Sequence, residues 1–217
     1  MATHSDLELE KSAVATAAAQ LVEDGMTVGL GTGSTVRFLL PALAARGLRI
    51  RCVATSPRTE EAARQLGLPV EPFGALDRLD IAIDGADQIA PDGWLVKGGG
   101  GAHTREKIVA AAARRFVVIA SSDKLVERIK SPVPLELLAF GLEATLRTLA
   151  PAALRGAPAS PDGGVIADYL GPIGNPAVLA ARLAATPGVV EHGLFPPELV
   201  AEILVAGDGQ VERRVLR

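Results

Sequence analysis

Lys97 stands directly before four glycines, Gly98 to Gly101, and upstream of it Asp84 and Asp87 bracket Gly85 and Ala86. Each glycine costs backbone entropy on folding, and no scaffold reason requires four in a row. A backbone that must lie against a small ligand, with one ammonium fixed beside it, does explain the run. The two carboxylates could bind sugar hydroxyls, move protons or hold Mg²⁺; Asp-Gly is equally a common turn former. Glu106, within His103-Thr104-Arg105-Glu106-Lys107, falls in the first turn of an expected helix. An acidic residue there is favoured by the helix dipole by roughly 0.3 to 1 kcal/mol, or it is brought to the ligand as a base. Gly31-Thr32-Gly33-Ser34-Thr35 lies between an expected strand and helix, where backbone N–H groups, hydroxyls and the helix N-terminus attract an anion. The plain alternative is a capped turn. Lys124, after Ser121-Ser122-Asp123, and Lys11, early in the first helix, are either solvated charges or phosphate cations.

Several chemistries drop out. Counted from Gly29 or Gly31, the third glycine of a dinucleotide fingerprint is replaced by Ser34 or Val36, and the segment lacks the Gly-Lys-Ser/Thr ending of a P-loop. Cys52 is the one cysteine, so there is no internal disulfide and no cysteine-rich zinc site. The histidines, His4, His103 and His192, are scattered and no pair has ligand spacing with a carboxylate, so no metal is expected. A formal net charge of -3 argues against a general nucleic-acid or anionic-membrane surface. No run reaches the roughly 18 apolar residues of a membrane span, and Asp6, Glu8 and Glu10 stand where a signal peptide would be basic. A soluble cytoplasmic protein is expected.

These groups need elements that position them. Hydrophobic residues make up 48% of the 217 with only 3% aromatic, so the core is built from Ala, Val, Leu and Ile, as suits helices packed on a parallel sheet. Strands are expected at Thr27 to Leu30, Leu48 to Ala54, Asp80 to Ile83, Trp94 to Val96 and Phe116 to Ala120. Helices are expected over Leu7 to Glu23, Thr35 to Ala45, Pro57 to Leu66 and Thr104 to Ala113. If the strands that run into the polar clusters lie parallel in one sheet, those clusters meet along one edge, where open α/β sheets bind ligands.

After Lys130 the rhythm becomes βαββαβ-like: strand Val133 to Leu138, helix Leu142 to Leu149, an unassigned Pro151 to Gly164, strand Val165 to Tyr169, helix Pro176 to Ala185 and strand Val189 to Leu194. Ala201 to Ala206 and Val211 to Leu216 around Asp208-Gly209 read as a terminal hairpin. The fold class is therefore α/β, a Rossmann-like, mostly parallel sheet flanked by helices, with a second, smaller α+β (ferredoxin-like) domain. The expected division is 1–130 plus 201–217 for the first domain and 131–200 for the second.

Gly29-Leu-Gly-Thr-Gly-Ser-Thr35, Ile83-Asp-Gly-Ala-Asp87, Val96-Lys-Gly-Gly-Gly100, Thr104-Arg-Glu-Lys107 and Ala120-Ser-Ser-Asp-Lys124 together closely resemble ribose-5-phosphate isomerases of the A type, in order and spacing. The likeness continues through Pro132-Val-Pro-Leu-Glu136, Pro187-Gly-Val-Val190 and Gly193-Leu-Phe195. Gln88, Gly101 and Pro161-Asp-Gly-Gly164 depart from the family pattern, none at a position carried over as catalytic. The resemblance implies interconversion of D-ribose 5-phosphate and D-ribulose 5-phosphate in the pentose phosphate pathway through a cis-enediolate, without metal or organic cofactor. It implies Glu106 as general base, with Asp84, Asp87 and Lys97 holding O1 and O2. It also implies substrate contacts from Thr32, Gly33, Ser34, Thr35, Gly85, Ala86, Gly98, Gly99, Gly100, Lys124 and Lys11. The sole partner expected beside the sugar phosphate is the chain itself, as a homodimer or homotetramer.

Overall fold

The computed structural model describes residues 3–76 and 78–217, so positions 1, 2 and 77 of the expected first domain lie outside the described residues. In chain order the first half contains α1 (His4–Ala19), β1 (Thr27–Leu30), α2 (Val36–Ala44), β2 (Arg51–Ala54), α3 (Pro57–Gln65), β3 (Ile81–Gly85), β4 (Gln88–Ile89), β5 (Leu95–Val96) and α4 (His103–Ala112). The second half contains β6 (Phe116–Ser121), β7 (Val133–Leu137), α5 (Leu142–Leu149), β8 (Ala152–Leu154), β9 (Val165–Tyr169), α6 (Pro176–Ala184), β10 (Val189–His192), β11 (Leu194–Phe195), β12 (Glu202–Gly207) and β13 (Gln210–Val215). Two compact units result. One is Met1–Ala86 with Arg105–Lys124 and Glu198–Arg217; the other is Asp87–Thr104 with Leu125–Pro197. Residues 87–104 and 125–130, expected in the first domain, thus belong to the second unit, chiefly because β4 and β5 pair with β11 rather than with the large sheet.

The first unit is a six-stranded sheet in the order β13-β12-β6-β3-β1-β2. All pairs are parallel except β12 with β13, the terminal hairpin. β6 is buried at every position, as a central parallel strand should be. The small side chains of α1, Ala15, Ala18 and Ala19 beside Val14, are fully buried and let that helix lie close on β6 and β12. α1 begins three residues earlier than its apolar spacing suggests, because Thr3 and Asp6 form a capping box: the Thr3 hydroxyl accepts from Asp6 N–H while the Asp6 carboxylate accepts from Thr3 N–H. Gly29, in the middle of β1, admits α4; a Cβ there would lie 2.5 Å from Val109 Cγ1. The helix that carries Glu106 is seated on the sheet through that gap.

The second unit contains the four-stranded antiparallel sheet β10-β7-β9-β8, and with α5 and α6 its chain order is βαββαβ, the ferredoxin-like arrangement. Leu135, Leu137, Leu149, Ala167, Tyr169, Leu179 and Leu183 fill its core. The unassigned stretch supplies β8. The expected strand Val189 to Leu194 is two strands in two sheets, parted at Gly193, whose N–H donates to Pro134 O at 2.7 Å and whose carbonyl accepts from Lys97 N–H at 2.9 Å. Trp94 to Val96 is likewise not a strand of the parallel sheet: β5 sits between β11 and β4, antiparallel to both. Of the four strands expected to end along one edge, three do so.

At the start of β12, Glu202 is 5% exposed and accepts from Arg115 Nε and, at 2.6 Å, from Arg213 Nε. Burial alone would raise its pKa, but the two guanidinium hydrogen bonds outweigh burial and hold the carboxyl below its ordinary value of 4.5. A depressed folded-state pKa contributes stability that is present above pH 4.5 and lost as pH falls through the lowered value. Glu202→Gln is therefore expected to destabilise the fold by about 1–3 kcal/mol at neutral pH. Thermal melts across acid pH should show that gap closing; a gap that persists undiminished at low pH would refute the assignment.

Candidate active site

The order β2-β1-β3 makes β1 the strand from which the chain first winds one way and then the other, and ligand crevices of open α/β sheets lie outside the carboxyl ends of strands at such a reversal. Gly31 follows β1 there, and Asp84 lies within β3, one residue further along the strand than the sequence suggests. Gly31 N–H donates to Ile83 O at 3.0 Å, drawing the two strand ends together. A Cβ on Gly31 would stand 2.0 Å from the Asp84 carboxyl group. Asp84, 3% exposed, is held across this gap: its Oδ1 accepts from Thr32 N–H at 3.1 Å and Gly85 N–H at 2.7 Å. Gly33 and Ser34 are exposed, and Thr35 is buried at the start of α2, whose first turn has no side-chain cap, unlike those of α1, α3 and α6.

The Thr32 hydroxyl lies 2.8 Å from those of Thr55 and Ser56 and 3.2 Å from that of Thr59. Thr59 Oγ1 in turn donates to Gly31 O at 3.0 Å. Thr55 and Ser56 follow β2 just as the other polar clusters follow their strands, so strand-end position was the available signal for them.

Glu106, in the first turn of α4, is 4% exposed. Past the end of β6, Ser122 to Lys124 form one 3₁₀ turn that is tied to α1: the Glu10 carboxylate accepts from Ser122 N–H at 2.8 Å and from its hydroxyl at 2.9 Å. Lys124 pairs with Asp123 at 2.9 Å and Lys11 with Glu8 at 2.9 Å. Asp123 feels burial, which raises its pKa, yet the Ser121 and Lys124 hydrogen bonds and the positive charges of Lys124 and Lys11 hold it below the usual range. The two expected phosphate cations therefore share one electrostatic neighbourhood, with carboxylates already beside them. The i, i+3 spacing on the expected first helix points to Glu8 as the companion of Lys11, whereas no spacing pattern points to Glu10.

The remaining expected residues belong to the second unit, the division falling between Ala86 and Asp87. Lys97 is 2% exposed, and its ammonium stands 5.5 Å from the Phe195 ring centroid. Asp87 anchors the glycine run, its Oδ2 accepting Gly99 N–H at 2.8 Å. Gly98 has φ +104°, and a Cβ there would come within 2.7 Å of His103 Nδ1. The carbonyls of Gly98 and Gly99 accept from Arg155 Nη1 at 2.9 and 3.0 Å, and Arg155 is itself held by Asp168 through Nε at 2.9 Å and through Nη2. Hydrogen bonding to Asp168 raises the Arg155 pKa, with the Asp168 and Asp87 charges adding to it. Arg155 falls in the stretch the sequence left unassigned, and nothing in its surroundings marks it. Glu136, 2% exposed, accepts from the hydroxyls of Thr104 and Ser160. Among the described residues there is no group of three or more His, Cys, Asp or Glu able to hold a metal ion, and no helix is long and apolar enough to cross a membrane.

Residues 51–210 match the family described as ribose 5-phosphate isomerase A (phosphoriboisomerase A). The chain belongs to this family. It is thus an isomerase, and its relatives cover it almost end to end. It is 46% identical to ribose-5-phosphate isomerase A of Roseiflexus sp. (strain RS-1), over 95% of this chain and 96% of that one. It is 45% identical to the same enzyme of Synechococcus sp. (strain JA-3-3Ab), over 93% and 95%. Among solved structures, ribose 5-phosphate isomerase A from Neisseria gonorrhoeae superposes with a TM-score of 0.93 at 30% identity, covering 97% of this chain and 98% of that one. A ribose-5-phosphate isomerase in complex with phospho-erythronic acid gives 0.91 at 31%, covering 96% and 99%. A translation initiation factor eIF-2B of Pyrococcus horikoshii, at 19% identity and a TM-score of 0.53, shares the fold alone.

Gly31→Ala should keep the fold by circular dichroism while lowering isomerase kcat/KM by roughly 100-fold, because the new methyl group displaces the Asp84 carboxylate. Near-normal turnover in that variant would show that the Gly31–Asp84 approach is not required.

Proposed function

We propose that this isomerase interconverts D-ribose 5-phosphate and D-ribulose 5-phosphate, with Glu106 as the general base. The observation that carries the reading is the burial of three ionisable side chains within family motifs: Asp84, Lys97 and Glu106 are 3%, 2% and 4% exposed. Charged groups are seldom buried so completely without a structural or functional partner, and active sites are where such burial concentrates. In the open-chain aldose, the Glu106 carboxylate takes the C2 proton. The C–H electrons form the C1=C2 double bond and the carbonyl electrons move onto O1, giving a cis-enediolate. The O2 proton passes to O1, Glu106 returns its proton to C1, and the C2 carbonyl forms. Atoms and charge balance with no external oxidant or reductant.

Lys97 beside O1 and O2 stabilises the developing negative charge, the role a fixed cation plays most strongly where water is excluded. Asp84 and Asp87 bind the same oxygens and assist ring opening. Gly85, Ala86, Gly98, Gly99 and Gly100 supply backbone to this end of the substrate. At the other end Thr32 to Thr35, Lys11 and Lys124 take the phosphate, drawn by the start of α2 and two ammonium groups. A relative's complex with phospho-erythronic acid supports a phosphorylated, sugar-like ligand; the assignment of its two ends rests on the charges and the helix start just named. The reaction needs neither metal nor organic cofactor, and we place it in the cytoplasm in a homodimer or homotetramer.

Purified protein is expected to isomerise ribose 5-phosphate in the presence of EDTA; a folded preparation that binds the sugar phosphate without turning it over would exclude the enzyme reading for this substrate. Glu106→Gln should lower kcat by about 10²–10⁴-fold, the usual range for loss of a general base, with binding by calorimetry little changed. Retention of near-normal kcat would reduce Glu106 to a helix-dipole residue. Ser34→Ala should raise KM about threefold to tenfold, as for one lost hydrogen bond, with kcat less affected. If KM does not move, Ser34 is not a phosphate ligand.

A further inference from the structure

Gly98 to Gly101 close a tight turn in which Gly101 N–H donates to Gly98 O at 3.0 Å, with Gly99 and Gly100 at its centre. Two of its peptide units are also gripped from outside by one guanidinium. Arg155 Nη1 carries two protons, and donates one to Gly98 O at 2.9 Å and the other to Gly99 O at 3.0 Å. Asp168 takes the other side of the fork: Nε donates to its Oδ2 at 2.9 Å and Nη2 to its Oδ1, the bidentate pairing that fixes a guanidinium in plane. Both members of the pair stand on the sheet. Asp168 lies in β9 opposite Ala153 of β8, and Arg155, just past the end of β8, donates its backbone N–H to Ile166 O at 3.0 Å. The fork is thus built on paired strands, while the turn it grips has no side chains of its own.

A trans peptide is planar, and its C=O and N–H point in opposite directions. The Gly98 carbonyl faces Arg155, so the Gly99 N–H faces away from it, and there the Asp87 carboxylate accepts it at 2.8 Å. The Gly99 carbonyl also faces Arg155, so the Gly100 N–H too points away from the guanidinium; Gly100 is exposed, and this N–H has no hydrogen-bond acceptor among the described residues. A charged donor on the carbonyl polarises the peptide and strengthens the donor at its other end. We infer that Arg155, oriented by Asp168, is a positioning residue of the isomerase: it turns the Gly99–Gly100 peptide so that the Gly100 N–H is presented to the O1 and O2 end of the sugar, while Asp87 takes the neighbouring N–H. The inference rests on the reading of the glycine run as backbone for that end of the substrate.

The test compares Arg155→Ala, Arg155→Lys and the Arg155→Ala/Asp168→Asn double variant with the unaltered protein, each checked for folding by circular dichroism and assayed well below its melting temperature. The readouts are kcat and KM for ribose 5-phosphate, the inhibition constant of inorganic phosphate, and rescue of Arg155→Ala by millimolar guanidinium chloride. Arg155→Ala should lower kcat roughly 10- to 100-fold, as for a misplaced donor, with phosphate inhibition within about twofold because the phosphate end is assigned to the first unit. The Arg155 side chain is 22% exposed, so a small planar cation has access to the place it vacates. Guanidinium should restore the kcat of Arg155→Ala about fivefold or more and ammonium chloride at the same concentration should not, because a point charge does not serve two carbonyls and a carboxylate in one plane. For the same reason Arg155→Lys should remain about tenfold below the unaltered protein in kcat. The double variant should match Arg155→Ala in kcat within about twofold, since Asp168 acts through Arg155. The inference fails if Arg155→Ala or Arg155→Lys melts at lower temperature yet keeps kcat within about twofold of the unaltered protein, for then the fork only joins two strands. It fails equally if guanidinium restores no more than ammonium does, or if phosphate inhibition weakens in step with kcat, the mark of a general loss of fold. Should Arg155→Ala not fold, Arg155→Lys, which keeps a charge beside Asp168, decides by its kcat. Unaltered protein that does not turn over ribose 5-phosphate would remove the underlying reading as well; active protein with insensitive Arg155 variants removes the inference alone.

Discussion

The carboxylate of Asp84 fills the space that any side chain on Gly31 would take, and the first unit is arranged around that exchange. β1 and β3 are adjacent parallel strands, so residues just past their ends would ordinarily hold each other apart by their side chains. With no Cβ on Gly31, its N–H reaches Ile83 O, Asp84 lies across the gap, and the N–H of Thr32 closes over the carboxylate. Gly29 repeats the device two residues earlier on β1, where the missing side chain admits Val109 and so seats α4. One short strand thus sets both the depth of an acidic group and the position of the helix whose first turn holds Glu106.

The second unit solves a different problem, that of holding a glycine-rich loop in one shape. Glycines lose more freedom on ordering than other residues, so the loop is fixed by partners outside it. Its N–H at Gly99 goes to Asp87 and its carbonyls at Gly98 and Gly99 go to Arg155, which Asp168 orients in turn. Asp87 therefore already carries a structural duty, whatever it does for the substrate. A planar guanidinium with several fixed donors suits such bridging better than an ammonium.

Much of this was legible in the residues, for reasons that differ from place to place. β1, α5 and β9 were readable to the residue, because apolar runs flanked by glycine, proline or charge leave little choice of boundary. The βαββαβ order of the second unit followed from the same signals. Trp94 to Val96 misled because a short apolar run before a glycine loop looks alike in a parallel sheet and in a three-stranded antiparallel one; its partner β11 lies about a hundred residues away. Val189 to Leu194 misled because Gly193 turns the chain between two sheets without interrupting the apolar pattern. In the candidate site, the motif residues stand out in the sequence by type and spacing, while the roles proposed for them come from the family resemblance. Arg155, Glu136 and Glu10 do not stand out, since their roles arise from contacts across large sequence separations and leave no local trace. Thr55 and Ser56 stand between these cases, being visible as a strand ending but silent about the Thr32 hydroxyl they meet.

The first unit is assembled from three pieces of chain, with its final two strands, β12 and β13, at the extreme C-terminus. α1 packs on α2, which follows it closely, but also on β6 and β12, and Glu10 bonds to Ser122, so part of its surface waits for partners made about a hundred residues later or more. At the roughly 5–20 residues per second of protein synthesis, the side of α1 that meets β6 and β12 gains its last partners many seconds after the helix is made. The second unit's βαββαβ segment is complete by residue 192 and carries its own core, so it is able to close first. The first-made strands of the first unit are thus the last to find all their neighbours, whereas the βαββαβ segment has every strand of its four-stranded sheet within one continuous stretch of chain.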